Sequence, residues 1–190
     1  MCNDELMHYG KKGMRWTNHK YKVIKKGVKL SRVSLRPNEP IDANRKYVST
    51  NSKDQKLWER IMVKPYKNMG YSSVYKYQYL TTKNVKVANR IEVGKQFTSK
   101  LMEDPRFTEK VIQGNNEFRK ALGMKETDLT TDFFRSLGWR TNAASEFLQY
   151  MQSKGYDAIN DIYGMESGAK DPIILLDPSK SIKLKSVEKI

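Results

Sequence analysis

Side chains able to support covalent or metal chemistry are few in this 190-residue chain, and their spacing does not suit it. The two histidines, His8 and His19, and the single cysteine, Cys2, all fall near the start. One cysteine excludes an internal disulfide, and three such residues cannot supply the usual His/Cys zinc spacings. A Ser-His-Asp or Cys-His relay needs its histidine packed against the folded body, which a leader position argues against. No group of acids has the EF-hand spacing. Gly10-Lys11-Lys12-Gly13 lacks both the spacing and the preceding strand of a phosphate loop. Two carboxylates flanking late strands, Asp157 and Asp161, are placed either for acid–base work or for capping turns.

Charge is the stronger signal. Lys and Arg number 36 against 21 Asp and Glu, a net +15. Between Lys11 and Arg36 there are ten bases and no acid, so the other 164 residues together carry only +5. Such a run reads either as a solvated arm or as one that touches nucleic acid or an acidic partner. Lys11, Lys12, Arg15, Lys20, Lys22, Lys25 and Lys26 are the candidate phosphate contacts. The longest aliphatic run, Ile173 to Leu176, is far short of the ~20 residues of a spanning helix. Acids at the N-terminus where a secretory leader has bases lead us to expect a soluble protein made in a reducing cytoplasm.

These residues must be positioned by elements that alternate in type along the chain. Lys29–Leu35 reads as a strand closed by the turn signal Arg36-Pro37-Asn38-Glu39-Pro40. Tyr47–Thr50 is β-prone, and Ser52 with Gln55 predicts a capping box opening a helix striped by Leu57, Trp58 and Ile61. Val74–Leu80 predicts a strand with Tyr75, Tyr77 and Tyr79 on one face, for packing or for base stacking. Val85–Ala88 follows, and Asn89 with Glu92 is a second capping signature. The middle is helical, with Phe97, Leu101 and Met102 on one face, then Phe107, Val111, Phe118 and Leu122 on another, interrupted by Gly114. Thr141 caps a helix running to Lys154, striped by Ala144, Phe147, Leu148 and Met151 and stopped by Gly155. Tyr156–Ile162, Pro172–Leu176 and Ser181–Lys185 read as strands, the second buried on both faces. Strands at both ends with helices between predict an α+β fold in which late strands pair back onto early ones.

Two resemblances add to this reading. The opening Glu5-Leu6-Met7-His8-Tyr9-Gly10-Lys11-Lys12-Gly13-Met14-Arg15-Trp16 resembles the His-Tyr-Gly-x-x-Gly-Met-basic-Trp-Gly box of head-associated and other structural proteins of tailed bacteriophages. It departs from the box at Thr17, where a glycine is usual. Physically it is a recognition peptide, with Gly10 and Gly13 permitting tight turns and His8, Tyr9, Met14 and Trp16 forming an adhesive face. The resemblance implies docking within a phage particle and, with the basic run, a place near packaged DNA.

Residues 28 to 186 are similar, more loosely, to the ADP-ribosyltransferase fold, a split β core that holds NAD. The residues are Ser31-Arg32-Val33-Ser34, Tyr47-Val48-Ser49-Thr50, Gly155-Tyr156-Asp157-Ala158-Ile159, and Pro172 through Ser179. The resemblance implies that Arg32, Tyr47, Ser49 and Thr50 bind the cofactor, with Arg32 and Ser49 also in the catalytic set. The family's Ser-Thr-Ser element is broken here, since Asn51 follows Thr50. For the family's glutamate, Glu92 is already used as a cap partner, which leaves Glu166 in the Gly164-Met165-Glu166-Ser167-Gly168 loop. A glycine-flanked loop is a poor place to hold a carboxylate to catalytic tolerance.

The sequence therefore predicts an extended basic arm and docking box over residues 1–27, ahead of one α+β domain over 28–190. That domain is expected to have a split mixed or antiparallel β core and a central helical block. The expected role is a minor head, connector or internal cargo protein of a phage virion, present in the host cytoplasm during assembly. Its expected partners are other virion proteins and, through the arm, DNA, with no membrane and no cofactor. The alternative is a phage-encoded ADP-ribosyltransferase that modifies host proteins using NAD.

Overall fold

The computed structural model describes residues 20–35, 47–68, 73–127, 133–136, 141–166 and 168–190. In chain order the elements are β1 (Tyr21–Ile24), β2 (Lys29–Ser34), β3 (Tyr47–Ser49), α1 (Ser52–Asn68), β4 (Tyr75–Thr81) and β5 (Val85–Ala88). Helices α2 (Arg90–Glu103), α3 (Pro105–Ala121), α4 (Phe133–Ser136) and α5 (Asn142–Ser153) form the middle. The chain closes with β6 (Ala158–Asn160), α6 (Ile162–Glu166), β7 (Pro172–Leu175), α7 (Pro178–Ser181) and β8 (Ile182–Lys189). The fold is α+β.

Local signals explain most of the helix ends. Asn89 caps α2 by accepting the Glu92 N–H, and Thr141 caps α5 by accepting the Ala144 N–H. Gly155, at φ +81°, takes the left-handed turn that follows α5, a backbone region open to glycine and strained for other residues. Elsewhere the structure corrects the reading. The cap of α1 is Asn51, whose side chain accepts the Lys53 N–H, so Ser52 is already helical. Met102 is 81 % exposed and lies off the buried stripe of α2; Leu122 and Ile61 are likewise about half exposed. Tyr156 and Asp157 precede the short β6, and Asp177 caps α7 where a simple turn was expected.

A larger correction concerns residues 20–27, read from sequence as the end of the arm. Tyr21 to Ile24 pair antiparallel with Ala88 to Val85, so this stretch is a strand of the sheet. Tyr21 and Val23 are exposed and Ile24 is buried, the profile of an edge strand, which tolerates interspersed lysines.

Among the described residues eight strands lie in the order β1-β5-β6-β7-β3-β2-β4-β8, and of their pairings only β5–β6 is parallel. Late strands pair back onto early ones, β7 with β3 and β8 with β4. Strands β1 and β2 stand five places apart in this order, about 24 Å in a flat sheet. Residues 25–28 alone join them and can span roughly 18 Å at most. The sheet must therefore coil back on itself. Ile24, Leu30, Val48, Tyr77, Tyr79, Val87, Ile173 and Ile182, drawn from across the sheet, form one buried cluster inside the coil. The corner is closed where Gly27 N–H donates to the Thr81 carbonyl and Val28 N–H donates to Thr81 Oγ1, each at 2.9 Å. Tyr77 and Tyr79 belong to this interior and stack on each other 6.2 Å apart, which resolves the tyrosine stripe as packing.

A second core joins the helical block to the outside of the coil. Phe97, Phe107, Phe133 and Phe147 interlock there, packed with Met151, Ala88 and Ile159. Its rim is tied by charge: Glu146 on α5 receives Lys100 at 2.9 Å and Lys110 at 2.6 Å. Those hydrogen bonds, Lys110 first and then Lys100, hold the Glu146 carboxyl below its ordinary 4.5. At α7 the Ser179 hydroxyl and Lys180 pull Asp177 down to about 2. A carboxyl whose folded pKa is depressed stabilises the fold above its unfolded pKa and loses that contribution as pH falls through the folded value. Stability in urea is thus expected to decline on acidification from 4.5 toward about 2, and Glu146→Gln is expected to flatten the upper part of that decline.

Candidate functional site

The residues singled out for cofactor chemistry converge on two adjacent strands. Ser31 of β2 pairs with Ser49 of β3, which sets Arg32 beside the β3 side chains. The Arg32 guanidinium carbon lies 4.9 Å from the centre of the Tyr47 ring, a cation–π contact. Tyr47 in turn meets Trp58 of α1 edge-on at 5.7 Å. Arg32 is only 2 % exposed, among the most buried side chains of the described chain. Its charge is felt by Tyr79: burial is the main reason that phenol is pushed up to about 12, with Tyr77 and Tyr47 adding to the rise and Arg32 opposing it.

Ser49 is fully buried and committed to its surroundings. Its hydroxyl donates to Asp54 Oδ2 at 2.7 Å, lies 3.1 Å from the Asp171 carbonyl, and accepts the Asn51 N–H at 2.9 Å. Asp54, at the third helical position of α1, is the hub. Its carboxylate also accepts the backbone N–H groups of Lys170 at 2.5 Å and Asp171 at 2.8 Å. Thr50 Oγ1 and Lys22 Nζ both bond the Asp171 carboxylate. One buried carboxylate thereby fastens β3, the start of α1 and the loop entering β7, and Lys22 draws β1 toward the same place.

Glu166 is not part of this constellation. It ends α6 with its side chain half exposed, and its carboxylate faces Arg90 of α2 at 3.7 Å. Glu92 is buried and accepts hydrogen bonds from the Tyr156 hydroxyl at 3.1 Å and Gln96 at 2.8 Å. Burial and then that bond push the Tyr156 phenol up to about 12. The chain matches no known family, curated protein or solved structure.

The burial decides what this cluster can do. NAD needs an exposed cation for its phosphates and free hydroxyls beside its nicotinamide. Arg32 and Ser49 are enclosed, and Ser49 and Thr50 already bond to Asp54 and Asp171, so these residues do not fit the dinucleotide as arranged. Their chemistry is that of an internal clamp, in which the Ser49 and Thr50 hydroxyls bond buried or half-buried carboxylates and Arg32 rests against the Tyr47 ring.

Of the carboxylates flagged from sequence, Asp157 bonds the Lys86 N–H and Lys83 Nζ, which holds the β4–β5 turn to β6. Asp161 opens α6 by accepting the Gly164 N–H at 3.0 Å, and burial raises its carboxyl above the ordinary range. Both serve turns. The docking residues His8, Tyr9, Gly10, Gly13, Met14 and Trp16 lie outside the described residues, as do Lys11, Lys12 and Arg15. Lys20, Lys22, Lys25 and Lys26 lie within them, on β1 and its flanks.

Sequence reasoning passed over Asp54 and Asp171. A signal for Asp54 existed: an acid three residues after a capping asparagine sits at a helix N-terminus, where negative charge is favoured. Nothing local marks Asp171, because its partners Lys22 and Thr50 lie more than a hundred residues away in sequence.

Proposed function

We propose that this protein is a virion-associated structural protein of a tailed bacteriophage, docked in the particle through its N-terminal box. The observation that carries the reading is the box itself, His8-Tyr9-Gly10 through Trp16, together with its closeness in sequence to β1. Strand β1 starts at Tyr21, five residues after Trp16, so a partner gripping the box is held within roughly 18 Å of the sheet edge. The body supports the same reading. Arg32, Ser49 and Asp54, the polar residues best suited to chemistry, are spent on holding strands together. A fold reused as a scaffold keeps such residues for packing, and shared architecture does not carry activity with it.

Mass spectrometry of purified particles is the test, and the chain is expected in the mature virion or in procapsids. Its absence from both overturns the reading. The transferase alternative makes a separate prediction, nicotinamide release from NAD in host lysate by the wild type and loss of it in Arg32→Ala and Glu166→Ala. The enclosed Arg32 and Ser49 lead us to expect no release above background.

A further inference from the structure

The coil of the sheet brings the turn after β1 close to the start of β8 and concentrates lysine there. An open cleft of ≈ 360 Å³ is lined by Lys26, Gly27, Leu80, Thr81, Thr82 and Lys183. Lys26 belongs to the turn after β1, Lys183 to the last strand. Register extends the cluster: Lys29 of β2 is opposite Leu80 of β4, and Leu80 is opposite Lys183 of β8. Directly opposite residues project from the same face, so Lys29 and Lys183 flank Leu80 at roughly 10 Å from each other. Lys25 and Lys185 stand beside this row in sequence. All five lysines are exposed, and among the described residues no carboxylate lies within ion-pair distance of any of them. The acids nearby already have cations, Asp157 with Lys83 and Asp177 with Lys180.

Like charges gathered without counter-charge repel one another, which disfavours the compact state unless an anion joins them. The surface next to the lysines suits a chain of phosphates better than one compact anion. The next row on the same sheet face is Ser31, Gln78 and Ser186, all neutral hydrogen-bonding side chains. Leu80 offers an apolar spot between cations, where a sugar or base can rest. Beyond, Glu188 is held by Lys76 at 3.7 Å. From this arrangement we infer that the body of the protein, apart from its N-terminal leader, carries a nucleic-acid-binding face, with Lys26, Lys29 and Lys183 taking backbone phosphates around the Leu80 cleft. The face does not depend on the virion reading. A chain absent from particles can still bind nucleic acid, and a virion protein can lack this face.

The test compares the full chain with a triple variant, Lys26→Gln, Lys29→Gln and Lys183→Gln. A control with the same loss of charge carries Lys53→Gln, Lys95→Gln and Lys120→Gln, exposed positions on the helices. Fluorescence anisotropy reads binding to a labelled oligonucleotide, single-stranded and duplex, across a salt series, and a urea melt of each variant confirms folding. The cleft variant is expected to bind ~10-fold or more weakly, with a salt slope shallower by roughly 2 to 3, the release expected for three phosphate contacts. The control is expected to stay near wild type, and Lys183→Arg to retain the slope. Equal slopes for cleft and control variants overturn the inference. So does binding to phosphatidylserine vesicles without binding to either oligonucleotide.

Discussion

Replacing Asp54 with alanine is expected to destabilise the fold by about 3–5 kcal/mol, since three donors lose their acceptor in a largely enclosed site. The donors are the Ser49 hydroxyl and the backbone N–H groups of Lys170 and Asp171. Asparagine at this position keeps one acceptor oxygen but turns an N–H₂ toward groups that are themselves donors. Asp54→Asn is therefore expected to recover only part of the loss. Ser49→Ala removes one donor and leaves the other two satisfied, so its cost is expected to be about 1–2 kcal/mol. Urea denaturation of the three variants checks the order Asp54→Ala, Asp54→Asn, Ser49→Ala. A near-neutral Asp54→Ala would show that the carboxylate is not the clamp.

Phe147→Ala is the second large effect, at about 3–5 kcal/mol. Phe147 is fully buried, with Phe133 at 5.5 Å, Phe97 at 5.6 Å, Phe107 at 6.4 Å and Tyr150 at 6.4 Å between ring centres. Four of these rings come from four different helices, so truncation leaves a hole that no single helix can close by a small shift. The edge-to-face pairs with Phe97 and Phe133 are lost with it, beyond the area term. The measurement is again a denaturant melt, and Phe147→Leu is expected to recover more than half of the loss. Because this core shares no residue with the lysine cleft, a Phe147→Leu chain that still folds is expected to bind oligonucleotide as wild type does.

These two sites show how unevenly the sequence could be read. Phe147 was legible, since Ala144, Phe147, Leu148 and Met151 recur at helical spacing after a capping threonine, and the structure buries all four. Its ring partners were legible only as members of other stripes. Asp54 could be placed on a helix start, yet its role depends on a loop more than a hundred residues later. Strand β1 is obscured in the sequence because Lys22, Lys25 and Lys26 give the segment the character of a charged arm, while Tyr21, Val23 and Ile24 form too short an apolar pattern to offset it. An edge strand shows only a short, half-buried signature, and pairing with β5 is what orders it.

By itself the sequence determined the elements whose causes are local: the caps at Asn89 and Thr141, the stop at Gly155, the tyrosine alternation of β4 and the buried run of β7. Each rests on a few neighbouring residues and on backbone preferences that need no distant partner. The tertiary structure alone decided which strands meet and therefore what the charged residues face. Arg32 is enclosed under Tyr47, and Lys26 stands beside Lys183 across a cleft. The physical reason is the coil of the sheet. A short β1–β2 connection forces strands far apart in pairing order to close on one another, and no property of either lysine segment encodes that closure.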